Sequence, residues 1–91
     1  MQLGTVIGPV WGSRHAQGLD GRTLLRVQLD CGGEIVAVDG LRAGPGERVL
    51  VAHGSRVRDL TVGADVADKD IIVALVDGLD IVALVEGLDQ P

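Results

Sequence analysis

Residues 36–56, reading VAVDGLRAGPGERVLVAHGSR, constrain the fold more than any other stretch. Two short apolar runs, Val36-Ala37-Val38-Asp39 and Val49-Leu50-Val51, flank a Gly44-Pro45-Gly46 turn, and Gly54-Ser55-Arg56 closes the second run. Brief β-branched runs punctuated by Gly, Pro and Asp specify strands joined by tight turns. The glycine pair superficially resembles a nucleotide loop, but no third Gly follows in GxGxxG spacing and no Lys-Ser/Thr follows as in a P-loop. Val49 to Val51 also reads as strand, whereas a phosphate loop needs a helix N-terminus behind it. Ala43 to Glu47 is therefore a structural turn.

The same strand period recurs along the chain. Leu3 to Val10, Leu24 to Leu29, Glu34 to Val38, Arg48 to Ala52 and Ile71 to Val76 are short, β-branched-rich and bounded by Gly, Asp or Pro. Five strands in 91 residues point to an all-β domain in the form of a small barrel, which removes the edges such apolar strands would otherwise expose. Residues 12–21 are polar and read as a loop, and 61–70 as a connecting loop. Ser55 to Leu60 reads as one short helical turn with Ser55 as N-cap and with Arg58 and Asp59 exposed. With Trp11 as the sole aromatic, the core has to be built from Val, Leu, Ile and Ala, and Trp11 is expected to be partly buried.

Charge and residue supply narrow the function. Residues 1–58 carry seven Arg against five acids, and residues 59–91 carry eight acids against Lys69 alone. An acidic chain with neither a basic stripe nor stacking aromatics is a poor match for nucleic acid. No apolar run exceeds six residues, far short of the roughly 20 needed to cross a bilayer, and the N-terminus lacks a basic region followed by an apolar stretch. Cys31 is the only cysteine, so no internal disulfide forms, which fits a reducing cytosol. A soluble intracellular protein is expected. His15 and His53 are far apart and lack metal-ligand spacing, so no metal, cofactor or catalytic residue is expected. Ser13 and Ser55 read as loop or cap residues, without a GxSxG elbow.

The tail holds a tandem repeat. Ile72 to Asp80 reads IVALVDGLD and Ile81 to Asp89 reads IVALVEGLD, with only Asp77 replaced by Glu86. The break Asp77-Gly78-Leu79-Asp80 is a hairpin signal, so two adjacent antiparallel strands are expected. Two copies are too few for a solenoid. Each copy is an aggregation-prone window that has to be paired in the native state. The first copy is expected to complete the barrel, and the second to dock as a strand or short helix on the same or a neighbouring subunit.

Three blocks of this chain, in order, resemble the pentameric vertex proteins of bacterial microcompartment shells, of the EutN/CcmL type. The first is Met1-Gln2-Leu3-Gly4-Thr5-Val6-Ile7-Gly8-Pro9-Val10 with Leu19, Gly21, Leu24, Leu25 and Val27. The second is Val36 to Asp39, Ala43 to Glu47, Val49 to Val51, Gly54-Ser55 and Arg58, and the third is Ile72 to Asp77. The sequence departs from the family pattern at Arg42 and Ala74, where Gly is usual, and at Arg56, where a second Ser is usual. The resemblance implies a closed five-stranded OB-like barrel with a short helical turn, assembling as a cyclic homopentamer that plugs a shell corner and touches hexameric shell proteins. It implies a structural, non-enzymatic role at a microcompartment shell within the cytoplasm. It assigns residues 1–77 to the vertex barrel domain and 78–91 to a C-terminal extension carrying the second repeat. It places Ala43, Gly44, Pro45, Gly46 and Glu47 at contacts between subunits, and His53, Gly54, Ser55 and Arg56 near the five-fold axis. There Arg56 either lines a pore or pairs with Asp59, and Arg42 is expected to meet a neighbouring carboxylate.

Two other classes compete. Asp68-Lys69 in a small acidic all-β domain raises a lipoyl or biotinyl carrier modified at Lys69. Such carriers set that lysine at a hairpin tip between similar halves, and here it falls close to the C-terminal end. An OB-like binding module is the third reading, and the lack of aromatics argues against it.

Overall fold

A computed structural model describes residues 1–10, 22–63, 66 and 68–86. The chain runs β1 (Gln2–Pro9), β2 (Thr23–Leu29), β3 (Glu34–Asp39), β4 (Arg48–His53), α1 (Ser55–Thr61), β5 (Asp70–Asp77) and β6 (Asp80–Leu84). Period-two alternation sets the faces: in β2, Leu25, Val27 and Leu29 point inward while Arg26 and Gln28 meet solvent. The sheet order is β3-β2-β1-β4-β5-β6, and a parallel contact between β3 and β5, Val38 opposite Ile71, closes the first five strands into an OB-like barrel.

Curvature comes from irregularities in the ladders. Register shifts lie between Val6 and Gly8 in the β1–β2 pair and between Leu50 and Val51 in the β4–β5 pair, where an extra residue bends the strand. β1 and β2 approach so closely at Gly4 that a Cβ there would stand 2.6 Å from Val27 Cγ1 and 2.7 Å from the Gln28 carbonyl oxygen.

The barrel interior is filled by Val6, Leu25, Val27, Leu29, Ala37, Val49, Val51 and Ile72. A second cluster, Val38, Ala52, Val62, Val66, Ile71 and Val73, packs on the outside of β5. β5 is therefore covered on both faces along Ile71 to Ala74, which is why its sequence is a continuous apolar run and does not alternate. Val66, in the stretch read as a plain connecting loop, is 1% exposed and belongs to this outer cluster.

Two local readings need correction. The residue preceding α1 is Gly54, at φ 135°, and no side chain caps the helix; Ser55 is already helical and is not the N-cap. The extended turn into the helix needs a backbone angle that glycine supplies and serine does not. Of the Arg58-Asp59 pair, Asp59 is exposed, but Arg58 is half-buried and donates to Asp59 Oδ1 at 3.1 Å. As the hairpin signal implies, the start of the second repeat copy, Ile81 to Leu84, lies in β6 and pairs antiparallel with β5 of the same chain. Residues 12–21, with Ser13 and His15, and Trp11 lie outside the described residues.

Candidate functional site

The turn from Ala43 to Glu47 is held from three sides. Pro45 and Gly46 (φ 87°) occupy its centre and the Glu47 N–H donates to the Gly44 carbonyl at 3.1 Å, the arrangement of a type II turn. Glu47 Oε1 accepts from the Gly44 N–H at 2.7 Å. The backbone then docks on β1, with Gly46 N–H donating to Val6 O at 2.8 Å and Val6 N–H donating to Glu47 O at 2.9 Å. Upstream, the carboxylate of Asp39, only 2% exposed, accepts from the Leu41 N–H at 2.9 Å and the Ala43 N–H at 2.8 Å. A buried acid thus organises the approach to the turn, an Asx-type use of aspartate that the Asp39-Gly40 pair signals in sequence.

Arg42 sits between those anchors at φ 59°, the left-handed region that favours glycine. It is exposed, and no carboxylate pairs with it among the described residues. Beside it, a concavity of about 350 Å³ is lined by Gly8, Pro9, Thr23, Asp39, Arg42 and Pro45. Nothing in the sequence pattern announces this concavity, because its walls come from three separate segments.

His53, Gly54, Ser55 and Arg56 lie at the other end of β4, roughly 20 Å from the turn at a strand rise of about 3.3 Å per residue. His53 Nδ1 lies 2.8 Å from Asp70 Oδ1, and the Gly54 N–H donates to the Lys69 carbonyl at 3.0 Å. Ser55 and Arg56 are exposed. Arg56 does not pair with Asp59, whose carboxylate takes Arg58. The structure therefore separates the two candidate groups to opposite ends of one strand.

Charged pairs on the outer wall are well formed. Arg26 makes a two-pronged bond to Glu34, both contacts at 2.9 Å. Arg48 does the same with Asp30, both at 2.5 Å, and also donates to Thr5 Oγ1. These arginine hydrogen bonds hold the carboxyls of Asp30 and Glu34 below their ordinary range. Burial pushes the Asp68 carboxyl the other way, upward.

Lys69 is exposed on the connection entering β5 and not at a hairpin tip; the described tips are around Cys31 and at Gly78-Leu79. That geometry does not favour the carrier reading. Among the described residues, no group of three or more His, Cys, Asp or Glu is placed to hold a metal ion, and no helix is long and apolar enough to cross a membrane.

An OB-like barrel whose candidate groups are backbone-anchored turns and loops at the ends of a strand is a small barrel protein that presents surfaces. The chain belongs to the family described as ethanolamine utilisation protein EutN/carboxysome, whose model matches residues 1–77. It is 36% identical over 89 residues to the bacterial microcompartment shell vertex protein PduN of Salmonella typhimurium LT2, covering 87% of this chain and 98% of that protein. Two solved structures are similar over most of the chain. The pentameric shell protein MSM0273 from the RMM microcompartment superposes with TM-score 0.73 at 32% identity, covering 85% of this chain and 91% of that one. GrpN, a pentameric microcompartment shell protein from Rhodospirillum rubrum, gives 0.70 at 33% identity, covering 88% and 98%.

Proposed function

We propose that this chain is a structural component of a bacterial microcompartment shell and forms the five-subunit unit at its vertices. The observation that carries this reading is the similarity to a shell vertex protein over nearly that protein's whole length. The likeness to pentameric shell proteins across most of the barrel supports the assembly state.

On this reading the protein works by geometry and complementarity. A sheet of six-fold tiles is flat, and five-fold units at the corners let it close. A cyclic pentamer uses heterologous contacts, one patch of each subunit meeting a different patch of the next. The Ala43 to Glu47 turn suits such a contact, because its hydrogen bonds to β1 fix its shape before a partner arrives. His53, Gly54, Ser55 and Arg56 are assigned to the axial end, where five copies of Arg56 would favour anions in a narrow opening. Hexameric shell tiles are the outer partners, the shell is its location, and no catalysis is required of it. Residues 78–91 act as an extension to the 1–77 barrel.

The test is the absolute mass of the purified protein by native mass spectrometry across a concentration series. A stable five-subunit species is the expected result. A persistent monomer would overturn the vertex reading.

A further inference from the structure

β6 displays apolar side chains that the described residues of its own chain leave exposed. Ile81 is 57% exposed, Val82 61% and Leu84 43%, and Leu79 at the hairpin turn is fully exposed. Contiguous apolar surface on a folded domain marks a place where something else packs. The strand does not invite simple extension of the sheet. Its pairing with β5 shifts register so that Val82 is the extra residue between the Leu75–Ala83 and Val76–Ile81 pairs, and a bulge of this kind blunts an edge as a template for another strand. The side chains, and not the edge, are what β6 offers.

The position of this surface says what covers it. A cleft of about 370 Å³ runs from Gly46, Glu47 and Arg48 past Leu75, Val76 and Asp77 to Val82. Val82 of β6 thus adjoins the turn assigned above to the contact between subunits. That turn spans five residues, whereas a stable interface takes about 20–30 residues on each side. A ring contact centred on it has to recruit adjoining surface, and the adjoining apolar surface is β6. The rim also suits a second copy: Glu47, Asp77 and Asp80 border the cleft and hairpin, and this chain carries an exposed Arg42 with no ion-pair partner among the described residues.

We infer that the second repeat copy, through Ile81 and Val82, is part of the contact between adjacent subunits of the ring, so that β6 is exposed only in the isolated chain. This rests on the five-subunit reading and extends it to a segment beyond the family match, which ends at Asp77. One copy of the repeat builds the barrel wall and the other, pinned to it by backbone pairing, is a hydrophobic facing for the neighbour.

The experiment compares the wild-type chain with Val82→Lys by native mass spectrometry on dilution, alongside far-UV circular dichroism. Because Val82 is mostly exposed in the single chain, the lysine variant is expected to keep its fold and lose the five-subunit species at concentrations where wild type retains it. Where that variant does not fold, Val82→Cys in a Cys31→Ser background gives the same information by thiol labelling. The thiol is expected to be protected in the ring and released on dilution, while Leu60→Cys labels freely throughout. A wild-type monomer would defeat the ring reading itself. A wild-type pentamer with Val82→Lys dissociating at the same concentration, or with Val82→Cys labelling as fast as Leu60→Cys, would leave the ring standing and overturn this inference.

Discussion

Replacing Gly4 with alanine tests whether β1 and β2 pack at the limit a single glycine allows. The added carbon would stand 2.6 Å from Val27 Cγ1 and 2.7 Å from the carbonyl oxygen of Gln28. Carbon contacts settle at about 3.5–4.0 Å, so roughly 1 Å has to open on two sides at once. Val27 is fully buried and β-branched, which leaves it no free rotamer to retreat into. The oxygen belongs to the backbone of the paired strand and moves only if the ladder moves. Overpacking costs about 1–3 kcal/mol, and with both neighbours locked the upper end, about 3 kcal/mol, is expected. In a domain of this size that is a fall of about 12–24 °C in Tm. Gly8 is the control on the same strand, since a Cβ there meets nothing within 4 Å; Gly8→Ala is expected to stay within about 0.5 kcal/mol of wild type. Thermal and urea unfolding at matched subunit concentration make the comparison. Equal stability of the two variants would refute the close-packing argument.

Arg42→Gly is expected to stabilise the chain by about 0.5–1 kcal/mol: the left-handed backbone costs a side-chain-bearing residue about 1–2 kcal/mol, partly offset by the greater unfolded freedom of glycine; a lowered urea midpoint would show that the guanidinium makes a contact worth more. Asp39→Ala strands the Leu41 and Ala43 N–H groups and is expected to cost about 2 kcal/mol or more, with Asp39→Asn intermediate because one acceptor remains. Asp30 and Glu34 have depressed carboxyls in the fold, so their contribution is present above the unfolded values and is lost as pH falls through the folded ones. Stability should therefore decline below about pH 4.5, and the double variant Arg26→Gln, Arg48→Gln should flatten that decline; an unchanged slope in urea midpoints between about pH 5 and 3 would contradict it. Asp68 runs with the opposite sign, its raised carboxyl adding stability as pH falls, so Asp68→Asn should gain stability at neutral pH and lose that gain in acid.

How much of this was readable in the chain depends on the range of the interactions involved. Strands such as β2 and β4 fall within one residue of their expected limits because alternation and flanking turns are local signals. The hairpin at Asp77 to Asp80 was legible for the same reason. Val66 was not, since a lone valine among small and acidic residues shows its burial only once β5 and α1 come together. Ser55 looks like the cap in sequence because serine is the commoner cap, and only the backbone angle at Gly54 reveals which residue turns the chain. At the candidate site, the turn chemistry of Gly44-Pro45-Gly46 was visible in sequence. The strain at Arg42, the burial of Asp39 and the exposed face of β6 depend on distant packing and were not.

The seam between β3 and β5 rests on one bridging pair, Val38 with Ile71, whereas the other seams are longer antiparallel ladders. It is also the parallel seam, and its partners stand farther apart in sequence than those of the β1–β2, β2–β3 and β4–β5 ladders, so more loop entropy is spent before its contacts form. In kinetic terms it is expected to close after the β1–β2–β3 meander and the β4–β5 pair. Subunits competent to assemble then have to wait for that closure. Weakening Val38 or Ile71 would lengthen the lag before assembly, out of proportion to the contact area removed, while an exposed change on β2 would leave the lag as it is.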